Sequence, residues 1–251
     1  MGKYEIIETE RLVLKPFSSL TKKQKEELIK SWDNPFNARF NAEPNSRKSV
    51  EDLAKRKEPS FMLVNEGLDS YYDTMFFRVA FDKISGELVA SCRFGKHPPA
   101  KDLKTWDFGF NVLLKHWSKG YGTELVEKII EIAKDEGARF VRGGASNDNF
   151  GSYHAMVKSG LKYIGIDETD DFEFQLDLTK PKTSAEDREN EWQKHIRRYK
   201  RRFGCKKYNR LQMINKKIKE MVKRIQAGDD EDFLVEQYFK ECNEIEIFPM
   251  D

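Results

Sequence analysis

Residues 105 to 146 constrain the fold more than any other part of the chain. "TWDFGFNVLL" alternates as a strand does, with Trp106, Phe108, Phe110 and Val112 on one face and Asp107, Gly109 and Asn111 on the other. It leads into "WSKGYGTELVEKIIEIAKDEG", where Gly120 and Gly122 precede a run of strong helix formers predicted to be helical from Thr123 to Glu136 and stopped by Gly137. "ARFVRGGAS" then reads as a second strand. Strand, helix and strand in this order make a crossover unit, whose two strands lie parallel in one sheet.

The surrounding chain adds antiparallel strands to that unit. "RLVLKPF" reads as a first strand, and "SLTKKQKEELIKSWDN" as a helix with Leu20, Leu28, Ile29 and Trp32 at helical spacing, ended by Pro35. A polar helix is predicted from Ser49 to Lys57. "MFFRVAFDKISGELVASCRFGKH" gives two strands around a Ser85-Gly86 turn, a hairpin signature. "NFGSYHAMVKSGL" is a short helix, and "KYIGIDE" and "FEFQLDL" are closing strands. The expected class is mixed α/β, with a mostly antiparallel central sheet flanked by helices over residues 1–180. A small helical extension follows over 181–251, in which Trp192, Ile196, Tyr199 and Phe203 form an apolar stripe expected to be that module's own core, and "GCKKYN" splits two amphipathic helices. A third helix is predicted from Asp230 to Cys242.

The glycine bend carries the first chemical expectation. Gly120 and Gly122 let the main chain curl without obstruction, so successive N–H groups converge on an anion at the positive end of a helix. Phosphate is the natural occupant. No Gly-Lys-Ser/Thr follows, and Leu125 stands where a dinucleotide fingerprint needs its third glycine, so both common nucleotide loops are rejected.

Taken in order, "ETERLVLKPF", "GELVASCRF", "WDFGFNVLLKHWSKGYGTE" and "SNDNFGSYHAMVKSGLKYIG" resemble the GNAT superfamily of acyl-CoA N-acyltransferases, and within it the ribosomal-protein-alanine N-acetyltransferase branch, over about residues 4–179. The resemblance implies acetyl-CoA as cosubstrate and no metal. Its pyrophosphate would lie on Ser118, Lys119, Gly120, Tyr121, Gly122 and Thr123, with Trp117 where the wider family has Gln or Arg. Its pantetheine would run beside the main chain of Phe110 and Val112. The resemblance also carries Asn149 over as a cofactor contact, Ser152 as a hydroxyl near the thioester sulfur, and the region of Phe36, Arg39 and Phe40 as a wall of the acceptor pocket beside Asn111.

Amine acetylation has requirements of its own. The amine must lose a proton, the developing oxyanion needs donors, and the departing thiolate needs a proton or hydrogen bond. Asp107 is the candidate base, directly or through water, with Gly109 leaving room beside it; its other reading is a solvated partner of a lysine. Ser152 is either the donor near the sulfur or a residue satisfying a first-turn N–H, and Tyr153 is the alternative proton donor. The acceptor is a protein N-terminus or a small-molecule amine. A coenzyme A-binding module without turnover is the alternative from another class.

Charge separates the extension from the rest. The whole chain carries a formal net charge of only +2, yet residues 180–224 hold 17 Lys+Arg against 5 Asp+Glu, and residues 225–251 hold 1 against 9. The basic segment 188–224 is open to RNA or ribosome contact, to homodimerisation, or to plain solubility, with a protein whose main function is RNA association as a further reading. Three scattered cysteines, Cys92, Cys205 and Cys242, form neither a disulfide framework nor a zinc site, and the histidines share no metal spacing. With no signal-peptide core and no long apolar run, a soluble cytoplasmic protein without a membrane partner is expected.

Overall fold

The computed structural model describes residues 5–38, 46–55, 75–96, 104–168 and 170–247. Its centre is an eight-stranded sheet in the order β1-β2-β3-β4-β5-β6-β8-β7. The strands are β1 (Ile7–Glu8), β2 (Leu12–Pro16), β3 (Met75–Asp82), β4 (Leu88–Lys96), β5 (Thr105–Val112), β6 (Phe140–Ala145), β7 (Lys162–Ile166) and β8 (Phe172–Asp177). Among the described residues only β5 and β6 pair in parallel; every other neighbouring pair is antiparallel. The crossover helix α4 (Tyr121–Asp135) joins them, as the strand-helix-strand pattern requires.

The remaining helices are α1 (Lys22–Asp33), α2 (Pro35–Ala38), α3 (Ser46–Lys55), α5 (Phe150–Lys158), α6 (Ala185–Gln226) and α7 (Glu231–Ile247). One sheet face packs Trp106, Phe108, Phe94 and Val141 against Leu125, Val126 and Ile129 of α4 and Tyr153 and Met156 of α5. The other packs Val79, Phe81 and Leu88 against Leu28 and Ile29 of α1 and Val50 of α3. Thr21 starts α1 with a reciprocal capping box to Gln24, and Ser184 caps α6 by accepting from the Asp187 N–H at 3.0 Å.

The extension differs from the sequence expectation in one respect. Helix α6 is interrupted at Gly204, whose φ of 87° and ψ of 156° are non-helical, so the two predicted helices are there. The apolar stripe of its first half is not the core of a separate module, however. Tyr199 is fully buried within the sheet's own core, with Trp192, Phe203 and Tyr208 packed beside it around Phe150 and Phe172. Phe150 and Phe172 are large apolar side chains on the outer surface of α5 and β8, and the helix is what removes them from water. Only the second half builds a new cluster, in which Ile214, Ile218, Met221 and Val222 meet Leu234, Val235, Tyr238 and Cys242 of α7, closed by the Lys217–Glu241 and Arg224–Asp229 ion pairs. The acidic helix α7 thus folds back on the basic helix α6.

His195 lies on the buried stripe, fully enclosed, with neither ring nitrogen hydrogen-bonded. Tyr153, Phe172, Phe174 and Trp192 surround it. Burial first, and the charge of Arg198 second, push its pKa from the ordinary 6.5 down to about 4. The unfolded chain therefore binds a proton below pH 6.5 that the folded chain refuses, and stability falls as pH drops through that window. The full loss, reached below pH 4, is about 3 kcal/mol. Denaturant midpoints between pH 7 and 4.5 should fall less steeply for His195→Phe than for the wild-type chain.

No helix among the described residues is long and apolar enough to cross a membrane. Among the same residues no group of three His, Cys, Asp or Glu side chains is placed to hold a metal, and Cys92, Cys205 and Cys242 are free thiols.

Candidate active site

Hydrogen bonding between β5 and β6 runs only from Thr105↔Phe140 to Asp107↔Arg142. Beyond that point β5 continues to Val112 and β6 to Ala145 without pairing to each other, so the sheet splits at the C-terminal ends of its parallel strands. The Leu113 N–H donates to the Val89 carbonyl of β4 at 2.9 Å. Main-chain groups of alternate strand residues point to opposite edges, so those of Phe110 and Val112 face the split. The indole Nε1 of Trp117 donates to the Val112 carbonyl at 2.7 Å, which leaves the Phe110 main chain and the Val112 N–H as the groups an extended ligand can pair with.

Two helices begin at the mouth of the split, α4 at Tyr121 and α5 at Phe150, and both aim their positive ends there. Ahead of α4, Ser118 (φ 63°) and Gly120 (φ 84°) are left-handed, a zigzag that turns successive N–H groups toward a common point. Gly120 is the N-cap and provides no side-chain cap, so the first-turn N–H groups of Tyr121, Gly122 and Thr123 have no intrahelical partner. A side chain at Gly122 would begin 3.0 Å from the Phe110 ring and 3.7 Å from Ala155 Cβ. Glycine there lets β5, α4 and α5 close up behind the bend.

Two side chains that the sequence reading left unassigned hold the bend from behind. Arg11 donates to the Lys119 carbonyl at 2.9 Å and to Glu124 at 2.7 Å, and its guanidinium lies 4.4 Å from the centre of the Tyr121 ring. Glu124 also accepts from Thr9 and from the Arg11 N–H. Burial alone would raise the Glu124 carboxyl, but the bonds from Thr9 and Arg11 outweigh it and hold the group below its ordinary value. The signal was present in "ETERL", where Thr9 and Arg11 bracket the residue before a strand. Tyr121 itself is tied down, donating to Asp82 at 2.8 Å; burial, then that bond, push the phenol up to about 12, and bonds from the Ser85 N–H and Tyr121 take Asp82 down to about 2. His116, buried one turn earlier, is held below its ordinary value by burial and then by Lys115 and Lys119, and is neutral at pH 7. Lys119 is exposed on the bend, whereas Lys115 pairs with Glu27 and Arg11 with Glu124.

The predicted chemical residues divide. Asp107 sits at the last paired position of the split, opposite Arg142, whose guanidinium lies 3.5 Å from Glu173. Gly109 was expected to leave open room beside Asp107. That room holds the Arg93 guanidinium, 3.0 Å from where a Gly109 side chain would start. Asn111 pairs with Ser91 on the same face, and its Oδ1 is buried without a hydrogen-bond partner. Asn149 uses Oδ1 to cap α5 by accepting from the Ser152 N–H at 3.1 Å. The Ser152 hydroxyl, half-buried on the first turn, makes no hydrogen bond among the described residues. Tyr153 lies apart from them: it is fully buried, and its hydroxyl donates toward the carbonyls of Ala145 and Ser146. Burial raises its pKa above the ordinary phenol value, and its proton is directed at main-chain carbonyls.

Arg39 and Phe40 lie outside the described residues. Phe36 is buried with its ring edge-on to Phe239 of α7 at 5.7 Å, in the extension's cluster rather than lining the split.

An α/β sheet whose one parallel pair splits before two helix N-termini, with a glycine bend at the first, is the architecture of an acyl-CoA-type transferase. The chain belongs to the acetyltransferase (GNAT) family, whose sequence profile matches residues 27–161. Solved structures agree on the fold. The ribosomal L7/L12 α-N-protein acetyltransferase RimL in complex with coenzyme A is 14% identical with a TM-score of 0.53, covering 69% of this chain and 98% of its own. A GNAT-family acetyltransferase from Bacillus anthracis is 16% identical with a TM-score of 0.52, covering 70% and 99%. The enzyme AAC(6')-Ib in complex with ribostamycin and coenzyme A is 14% identical with a TM-score of 0.50, covering 68% and 95%. Among curated proteins none matches the chain.

The residues present suit coenzyme A. Unpartnered first-turn N–H groups and the exposed Lys119 are suited to a diphosphate, and the strand edge at Phe110 and Val112 to an amide-bearing arm.

Proposed function

We propose that this chain transfers an acetyl group from acetyl-CoA directly to an amine, either the N-terminus of a polypeptide or a small-molecule amine. One observation carries the reading: the edge of β5 opened between Asp107 and Val112 lies next to the anion-binding bend at 118–123, so one molecule can occupy both. RimL and AAC(6')-Ib, bound to coenzyme A, support the donor. The cosubstrate supplies the activated acetyl thioester; the chain holds and orients it. Ser118 to Thr123 bind the diphosphate, with Lys119 offsetting its charge, and Phe110 and Val112 align the arm. Asp107 takes the amine proton, directly or through one water, and the Ser152 hydroxyl donates toward the departing sulfur. Asn149 and Asn111 complete the polar lining, and Arg93, across Gly109, restricts the space beside Asp107. Incubation with labelled acetyl-CoA and a panel of peptides and amines should give acceptor-dependent thiol release. Release that no acceptor accelerates would leave a binding module and reject the enzyme.

A second surface has its own support. Lys194, Arg197 and Arg201 are exposed and lie one turn apart on the face of α6 opposite its buried stripe. We infer that they contact a polyanion such as RNA, which delivers the enzyme to its acceptor. Replacing the three by Gln should weaken RNA binding and flatten its salt dependence by about two to three in log–log slope, with acetylation of small amines unchanged. Equal salt slopes for both proteins would remove the surface from the account.

A further inference from the structure

The bend at 117–120 includes a backbone conformation that is costly for its residue. Ser118 has a Cβ and still sits at φ 63°, in the left-handed region that such residues adopt uncommonly and that their surroundings must support. Three tethers do so, each from a different part of the chain. The Trp117 indole is fixed to the end of β5 through the Val112 carbonyl. The Lys119 carbonyl accepts from Arg11. The third comes from the far end of α6, where the Gln226 side-chain amide donates to the carbonyls of both Lys115 (3.1 Å) and Trp117 (3.2 Å). That helix end is itself seated against the bend: Leu114 and Trp117 pack with Ile214, Ile218, Met221 and Val222 in one apolar cluster. The interior of the basic extension therefore touches the machinery that would hold acetyl-CoA.

We propose that Gln226 is a positioning residue for the anion-binding bend, and that the C-terminal helices act in the reaction by holding Ser118 left-handed so that the N–H groups after it converge on the cosubstrate's diphosphate. The proposal rests on the acetyl-CoA reading above. Because binding and docking are linked, the cosubstrate in turn fastens the end of α6 onto the bend.

Gln226 is exposed and tethers only main-chain carbonyls, so its replacement leaves the apolar cluster intact. Gln226→Ala should raise KM for acetyl-CoA and the Kd for coenzyme A by about three- to tenfold. The values of kcat at saturation, KM for the acceptor and the melting temperature should stay within about twofold or a degree or two. Gln226→Glu, which keeps the reach but has no donor, should behave like Ala; Gln226→Lys, a donor of similar reach, should recover most of the affinity. Amide hydrogen exchange at residues 117–120 should quicken in Gln226→Ala and slow again on adding coenzyme A. A general loss of stability would instead lower kcat and melting temperature together, and Lys would not rescue it. Coenzyme A binding to the wild-type chain with an unchanged Kd in Gln226→Ala would overturn this proposal alone; no binding by the wild-type chain would overturn the acetyl-CoA reading with it.

Discussion

A chain ending at Thr179 should fail to fold, although it retains every strand of the sheet. The sequence expectation of a module with its own core suggests the opposite, that residues after 179 could be removed without unfolding the rest. Tyr199 and Leu211 belong to the sheet's own core, and Trp192, His195, Phe203 and Tyr208 complete the enclosure of Phe150, Phe172 and Phe174. Fully burying a large apolar side chain contributes about 1.5–3 kcal/mol, so Tyr199 and Leu211 with the half-buried Trp192, Phe203 and Tyr208 together contribute several kcal/mol. That is a large share of the stability of an ordinary domain. The truncated chain is expected in inclusion bodies or as a species that binds hydrophobic dyes without near-ultraviolet circular dichroism. A chain cut after Gly228, before α7, should fold with reduced stability, because the first cluster is complete without it. A soluble 1–179 fragment with a cooperative thermal transition would show that α6 is an accessory after all.

Asp107→Asn should lower kcat/KM for amine acetylation by about two to four orders of magnitude, with coenzyme A affinity unchanged. The substitution keeps the shape of the side chain and removes its capacity to take a proton, while the bend at 118–123 lies on a different element. The deficit should shrink as pH rises past about 8, where an α-amine is already deprotonated and needs no base. Ser152→Ala should slow the same reaction by about tenfold, the worth of one hydrogen bond to a charged group, with no such recovery at high pH. If Asp107→Asn lost only the small factor typical of a surface change at every pH, proton removal would have to be assigned to solvent.

The sequence made the mostly antiparallel sheet, a parallel pair within it and the glycine bend legible because each rests on a local rule: alternation, helix period, or a turn that excludes side chains. Helix starts agree to within three residues, α4 beginning at Tyr121 rather than Thr123 and α3 at Ser46 rather than Ser49, while α7 runs on to Ile247, five residues past the expected Cys242. What local rules cannot give is which apolar stripe meets which. The spacing of Trp192, Ile196, Tyr199 and Phe203 announces a buried face, but equally fits a face buried within the extension or against α5 and β8. Gly109 posed the same difficulty: an open space in the sequence is filled by Arg93 from the neighbouring strand once register is known. Arg11 and Gln226 act on the bend from more than 100 positions away in sequence; "ETERL" marks the first, and nothing near Gln226 announces the second.

The most direct test is a structure of the protein with coenzyme A bound, supported by the amide chemical shifts of residues 118–123 during titration. The diphosphate should lie within hydrogen-bond reach of the Gly120 to Thr123 N–H groups, and the arm should run along Phe110 and Val112 toward Asp107. Coenzyme A seated elsewhere, or amides in that stretch that do not move as it is added, would contradict the account.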